Sequence, residues 1–445
     1  MIKNYGDLEL AYDVIVVGAG PGGSACAKIA AEEGLKVLVL ERGRYPGEKN
    51  TSGSTIWGNV AREIIPDFPA DAPIERVVDG SRMYWVPDPG PDWSEFSGAS
   101  KDKTYVDPLD VYRNEFDKWW AEQAVQAGAE LRNSTKVVNV IRDGTKITGV
   151  LTEKGEKIEG QITVGADGVN SIIARMSGLR PKWPATENAL CIKYDWVMDE
   201  KTITDRWGSG MDDGVLIEVY WGATIGGNAG YFWIFPNRNS VSLGLGSLMS
   251  DYIKYGYNTH WYMDNSINHP LVKPKLKGGK LREIHAHAIP LTDPLMGYMN
   301  YTYGDGVLIV GDAAGMVCAI DGAGWYGAVK AGKLAAKTSV RAIETGDTSA
   351  DTLARYQKKW SEGDIGKTLK IGKEMEIWLT HDVGINNLAQ MVTASNAHSM
   401  EHPLDLSSFI SGNVANISKL LSGVRFGRRA LMPYLELFGS LLGGK

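Results

Sequence analysis

The stretch YDVIVVGAGPGGSACAKIAAEEGLKVLVLERG, residues 12 to 43, restricts what this chain can fold into more than any other. Asp13 to Val17 has the pattern of a buried strand, and Gly18, Gly20 and Gly23 follow it with the spacing G-x-G-x-x-G. Ser24 to Glu33 reads as a helix carrying Ala25, Ala27, Ala30 and Ala31 on its inner face, and Lys36 to Leu40 as a second strand ending at Glu41. The first glycine permits a tight turn, the second lets a pyrophosphate approach the backbone, and the third lets helix and strand pack closely. The helix N-terminus then stabilises the phosphate charge. Glu41 stands where an acid accepts from ribose hydroxyls. The pattern predicts a doubly wound, Rossmann-like α/β domain, and it leaves NAD and FAD both open.

Composition narrows the field. A chain of 445 residues suits two or three interlocked domains. A net charge of −6 argues against nucleic acid as the main partner, because phosphate backbones need a basic face. Cys26, Cys191 and Cys318 lie far apart without CxxC spacing. An iron–sulfur cluster needs four thiolates, so none is expected, nor is any metal site. A sparse, odd set of thiols fits a reducing cytoplasm. The start, MIKNYGDLELAYD, has acids where an export signal needs a basic and then an apolar segment. The longest charge-free run, Val219 to Asn237, is broken by four glycines and reads as strands. A cytoplasmic protein, soluble or bound to the membrane face, is therefore expected.

Two later segments decide between the nucleotides. QITVGADGVNSIIARMSGL, from Gln161, is a strand followed by Asp167-Gly168 and a helix with Arg175. GDGVLIVGDAAGMVCAIDGAGWYGAVKAGKLAAKT, from Gly304, is a strand ending at Gly311-Asp312, a glycine-rich stretch and a helix. With the first loop and Glu41, these resemble the signatures of FAD-dependent oxidoreductases built like para-hydroxybenzoate hydroxylase. The resemblance implies FAD as cofactor, with Asp312 accepting from the ribityl chain. The helix starting near Gly322, Ala323 and Gly324 would aim its N-terminus at the flavin pyrimidine, where a reduced flavin carries negative charge. Gly322, Gly324 and Gly327 also spell G-x-G-x-x-G, but the strand before them ends at Gly311, and Glu344 closes a helical run. They are not expected to hold a second nucleotide, and no separate NAD(P)H domain is recognisable.

The stretches 47 to 68, 111 to 131, 278 to 290 and 304 to 316 look like the FixC-type flavoproteins. These are relatives of electron-transfer flavoprotein–quinone oxidoreductase within a superfamily shared with the geranylgeranyl reductases. The resemblance implies that Arg113 contacts the FAD phosphate or ribose and that Lys49, Asn50, Ser52 and Gly53 run past the isoalloxazine. Arg42, Val138, Asp167 and Gly168 complete the implied cofactor set. GYFWIFP, Gly230 to Pro236, resembles the Y-x-W-x-F-P motif of geranylgeranyl reductases. As a strand it puts Tyr231, Trp233 and Phe235 on one face, fit to floor an apolar substrate pocket; packing between sheet and helices is the plainer alternative. That family carries a Cys-Gly pair near the flavin. Ser52-Gly53-Ser54 stands there in this chain, which speaks against a thiol-assisted step.

Along the chain, the FAD-binding domain is expected at 1–178, with a Pro/Gly/Trp-rich loop insert at 81–103, and again at 278–345. A β-rich substrate domain occupies 179–277, and a helical region follows at 346–445. The C-terminal run from Ser418 mixes Arg425, Arg428 and Arg429 with Leu420, Leu421, Phe426, Leu431 and Leu435, a pattern suited to an anionic bilayer or to packing on its own domain. The reading drawn from these features is an oxidoreductase passing electrons from a protein donor, electron-transfer flavoprotein or ferredoxin, through FAD to a quinone. The alternative is a reductase of isoprenoid C=C bonds. An aromatic hydroxylase and a non-enzymatic flavin subunit are further readings. His287, Trp325 and Tyr326 are the expected catalytic pocket members.

Overall fold

The computed structural model describes residues 12–49, 55–87, 94–99, 108–210, 214–226, 230–292 and 301–377. Asn50, Ser52, Gly53 and the C-terminal run from Ser418 lie outside them.

The first sheet forms around β1 (Tyr12–Val17), which pairs in parallel with β2 (Val37–Leu40) and with β10 (Lys157–Gly165). β7 (Glu130–Arg132) extends it beyond β2, and β17 (Val307–Ile309) beyond β10, also in parallel. β16 (Tyr303–Gly304) closes that edge antiparallel. The inner strands are covered on both faces, which is why they read as unbroken apolar runs rather than alternating ones. β8 (Val137–Asp143) and β9 (Lys146–Thr152) form a hairpin paired to the first half of β10.

Helices α1 (Pro21–Glu32), α3 (Arg113–Gln126) and α8 (Trp325–Glu344) pack beside this sheet, with α2 (Gly58–Arg62) and α9 (Ala350–Glu362) against α8 and α10 (Asp364–Ile377) against α9. α1 and α8 meet backbone to backbone. A Cβ on Gly22 would lie 2.7 Å from the Ala328 carbonyl oxygen, and one on Gly332 would lie 2.2 Å from the Gly22 oxygen and 3.2 Å from the Cys26 nitrogen. Gly22 thus meets Ala328 while Cys26 meets Gly332, one turn further along both helices. The two helices run parallel, and their N-termini share one end.

The second sheet has the order β15 (Lys280–Pro290), β11 (Asn188–Val197), β14 (Ser240–Leu248), β13 (Gly230–Pro236), β12 (Gly214–Gly222), β4 (Ile74–Val86), β6 (Pro108–Val111), β3 (Thr55–Trp57). Strands from before residue 112 and after residue 277 therefore complete a sheet whose centre lies in 188–248. β5 (Ser94–Ala99) adds to β4 antiparallel. This corrects the expected loop at 81–103: Ser81 to Val86 continues β4, and Ser94 to Ala99 returns along it. The run Met83-Tyr84-Trp85-Val86 is made of strand formers, and the prolines and glycines that suggested a loop lie between the two strands.

One face of the second sheet packs on α5 (Glu200–Trp207), α6 (Met249–Tyr255) and α7 (Thr259–Asn268), burying Ile192, Tyr194, Phe232, Ile234, Val241, Leu243 and Leu245. The opposite face turns toward the first domain. No helix among the described residues is long and apolar enough to cross a membrane.

Gly332→Ala tests the helix contact. Its methyl would sit inside the Gly22 backbone, so a loss of about 1–3 kcal/mol in stability is expected, read by chemical denaturation. Wild-type stability would show that the helices separate freely.

Candidate active site

The glycine loop owes its shape to two close approaches. Gly18 has φ +102°, and a Cβ there would lie 2.4 Å from the Ala166 oxygen. A Cβ on Gly23 would lie 2.0 Å from the Gly18 oxygen. Gly20 differs, because a Cβ there would meet open space. It caps α1 without any side-chain hydrogen bond, so the first-turn N–H groups stay available to an anion. Glu41 closes the loop from the next strand, accepting from the Ala19 N–H at 3.0 Å and the Gly43 N–H at 2.6 Å. This open, uncapped helix start with a carboxylate at its rim fits the pyrophosphate and ribose of a dinucleotide.

Arg113 begins α3 and is buried, held in a two-point ion pair with Asp117 at 2.7 and 2.8 Å. The pair fixes the guanidinium in one orientation. Asp312, in the turn Gly311–Ala314 where Gly311 has φ +63°, is raised above the usual carboxylate range by burial; the charges of His287 and Arg113 oppose that rise. Asp312, Arg113 and His287 therefore come together. His287 also lines a polar cavity of about 320 Å³ with His285, Arg42, Glu48 and Lys49. Its Nδ1 lies 2.6 Å from the Ala288 carbonyl oxygen.

Asp167 serves the chain end of β10 differently. Its carboxylate accepts from the Ser171 hydroxyl at 2.5 Å and from the N–H groups of Ile172 and Ile173 at 2.6 and 3.1 Å. It thereby secures the start of α4 (Ile172–Met176), while Gly168, at φ +74°, makes the bend. Val138 lies at a bulge in β8, between the register pairs of Val137 and Asn139.

α8 presents a second uncapped start. Gly324 is its N-cap, with no side-chain hydrogen bond and no acid in the first turn. Gly322, at φ +66°, donates to the Cys318 oxygen, and the Ala323 N–H donates to Asp321 Oδ1. Because α8 runs parallel to α1, both free helix starts face the same end of the domain. Gly327 lies inside α8 against the Met316 carbonyl, which suits helix packing and not a phosphate loop. Trp325 and Tyr326, expected in the pocket, line neither cavity. The helix phase turns Trp325 into the core, its ring 5.6 Å from Trp120 and 6.4 Å from Phe116. Tyr326 packs edge-on to Trp57 at 6.4 Å, with the Lys330 ammonium 4.9 Å from its ring.

An apolar cavity of about 60 Å³ lies where the second sheet meets the loop before α8. Tyr231 and Trp233 from β13 line it with Cys191, Ile289, Ile320 and Gly322. The Tyr231 hydroxyl donates to the Asp321 carbonyl oxygen, tying sheet to loop. The Trp233 indole lies across Gly244, where a Cβ would be only 2.0 Å from Trp233 Cζ2. Phe235 follows in the same row, 6.1 Å from Trp233, without lining the cavity. Burial pushes the Cys191 thiol up to about 12, so it stands in the wall as a neutral group.

Three residues of this region were not expected in the site from the sequence: Cys191, Lys193 and Glu376. The first two alternate with Ile192 and Tyr194 along β11 and so face the first domain. Lys193 is 2% exposed, its ammonium 5.4 Å from the Tyr112 ring centroid, and burial lowers it to about 8.

The residues present fit FAD. Gly18, Gly20, Gly23 and Glu41 would hold the pyrophosphate and ribose, Asp312 and Arg113 the middle of the cofactor, and the start of α8 the ring. Bound there, FAD supplies reversible two-electron chemistry, as hydride or as single electrons. The chain's own part is to place, exclude water and set the local charge.

Comparison with known proteins points to the same cofactor class. The model of the FAD dependent oxidoreductase family matches residues 13–194. Protein FixC of Bradyrhizobium diazoefficiens is 32% identical over 374 residues, covering 83% of this chain and 85% of that one. Protein FixC of Escherichia coli strain K12 is 32% identical, covering 80% and 82%. In fold, the chain is similar to a geranylgeranyl bacteriochlorophyll reductase-like protein from Thermoplasma acidophilum, with TM-score 0.71, 23% identity and coverage of 91% and 99%.

A pH test follows from Lys193. Its folded value of about 8 lies below the roughly 10.4 of an unfolded lysine. The unfolded chain binds more protons between those values, so stability rises as pH climbs through that window, and the full penalty applies below it. In FAD-stripped protein, Lys193→Met should raise Tm by about 3 °C at pH 7 and by little near pH 10.5. An equal gain at both would contradict the assignment. With its cofactor loop, its parallel helix starts and its relatives now described, the chain belongs to the FixC family of FAD-dependent oxidoreductases.

Proposed function

We propose that this FAD-dependent oxidoreductase takes electrons from a protein donor, an electron-transfer flavoprotein or a ferredoxin, and passes them to a quinone-like apolar acceptor. The observation that carries the reading is the aromatic cavity beside Gly322. Tyr231, Trp233, Ile289 and Ile320 give it a wall suited to a flat, apolar ring, and the loop before α8 puts that wall next to the start of the helix assigned to the flavin. Aromatic faces hold such rings by stacking and by area removed from water.

A second reading has its own support. The Tyr231-x-Trp233 row is the part of the chain that resembles the geranylgeranyl reductases, and it lines the cavity. An isoprenoid chain whose C=C bond is reduced would use the same wall.

The two readings separate in one experiment. Protein reduced anaerobically is offered a menaquinone analogue or a geranylgeranyl lipid, and flavin reoxidation is followed together with the lipid product. Fast reoxidation by quinone alone supports the first reading, and a saturated lipid supports the second. Trp233→Ala should keep FAD bound and slow reoxidation by the effective acceptor about tenfold, in line with the loss of one aromatic contact. Unchanged rates would remove this cavity from the acceptor path.

A further inference from the structure

Among the described residues that line the apolar cavity, Glu376 is the only one with a charged side chain. It comes from α10, a helix to which the sequence motifs assign no chemistry. Glu376 is 6% exposed, and a carboxylate in such a wall is costly unless it is paired. Its partner is Lys373, one turn earlier on the same helix, with Nζ 3.0 Å from Glu376 Oε2. Lys373 also donates to the Leu291 carbonyl oxygen at 3.0 Å, and Leu291 lines the cavity too. The lysine side chain is 16% exposed and the glutamate 8%. The pair therefore leads from a group in contact with water to a group in the acceptor wall.

We propose that Lys373 and Glu376 form the path by which a proton reaches the acceptor in the aromatic cavity. The inference rests on the quinone reading of that cavity. Conversion of a quinone to a hydroquinone takes up a hydride equivalent, drawn from reduced flavin that is left oxidised, and one proton. The Lys373 ammonium supplies that proton through Glu376: an N–H bond of Lys373 breaks as a Glu376 O–H bond forms, and that O–H bond breaks as the acceptor O–H bond forms. The carboxylate is restored, and the neutral amine takes up a proton from solvent. Such a donor, held in place and shielded from bulk solvent, contributes rate by general acid catalysis. A purely structural ion pair would anchor α10 and nothing more.

The test uses FAD-loaded, anaerobically reduced protein and two acceptors: a short-chain menaquinone analogue, whose reduction consumes protons, and ferricenium, whose reduction does not. In Glu376→Gln, reoxidation by the quinone should fall about 100-fold while ferricenium reoxidation stays at the wild-type rate. Lys373→Met should give a smaller loss, about tenfold, with the same selectivity. Added formate should restore part of the quinone rate in Glu376→Ala, because a small acid can enter the space that the side chain leaves. A Glu376→Gln protein that keeps the wild-type quinone rate overturns the path, and so does an equal loss with both acceptors. Wild-type protein that ferricenium reoxidises but quinone does not overturns the acceptor reading itself, and the proton path falls with it.

Discussion

The backbone contact between α1 and α8 is the constraint on which the rest of this structure depends. Gly22 and Gly332 let two helices touch without side chains between them, in parallel and in register. Parallel contact brings two helix starts to one end of the sheet, and each start lacks a side-chain cap. Each would otherwise leave N–H groups unsatisfied and a partial positive charge unopposed. A cofactor with a central pyrophosphate and, at one end, a ring that becomes anionic on reduction answers both. The fold thus prepares a charge pattern before any ligand arrives, and the strand-to-loop approaches at Gly18 and Gly23 hold that pattern rigid.

The second sheet is fitted to that arrangement. Its β11 and β13 side chains on the face toward the first domain change character along the strands: Cys191 and Tyr231 at the apolar cavity, then Lys193, and Asp195 beside Arg282. The opposite face is mostly apolar under α5 to α7, apart from buried Glu218, which pairs with Arg82 and Lys275. The apolar cavity and the polar cavity of Arg42, Lys49 and His287 are both lined by β15, through Ile289 in one and His287 in the other. One is suited to a ring that must leave water, the other to a phosphate-bearing cofactor that need not.

Much of this was legible in the sequence because it resides in local geometry. The strand–glycine–helix–strand unit, Glu41, the Gly311-Asp312 turn and the alternation in Gly230 to Pro236 each need only neighbours in the chain. What escaped needed distant partners. Trp325 looked like a pocket residue because it opens the flavin helix, yet helix phase sends it toward Trp120 on α3. Ser81 to Val86 looked like a loop because of the prolines after it, while its pairing with β5 and β12 makes it a strand. His287 was expected in the catalytic pocket; what the sequence did not show is that β15 is an edge strand whose register with Cys191 sets the imidazole beside Asp312. Lys193 and Glu376 carried no motif at all. Their chemistry comes from burial, which a sequence does not print.

The central claim is that this chain clasps a flavin dinucleotide between two uncapped helix starts. The most direct measurement is the flavin content of gently purified protein, followed by titration of the stripped protein with FAD and, separately, with FMN. The account requires a yellow protein with one FAD per chain and tight rebinding of FAD, with FMN much weaker because it lacks the pyrophosphate link and the adenosine half. A colourless protein that takes up neither, or one that binds FMN as well as FAD, would contradict it.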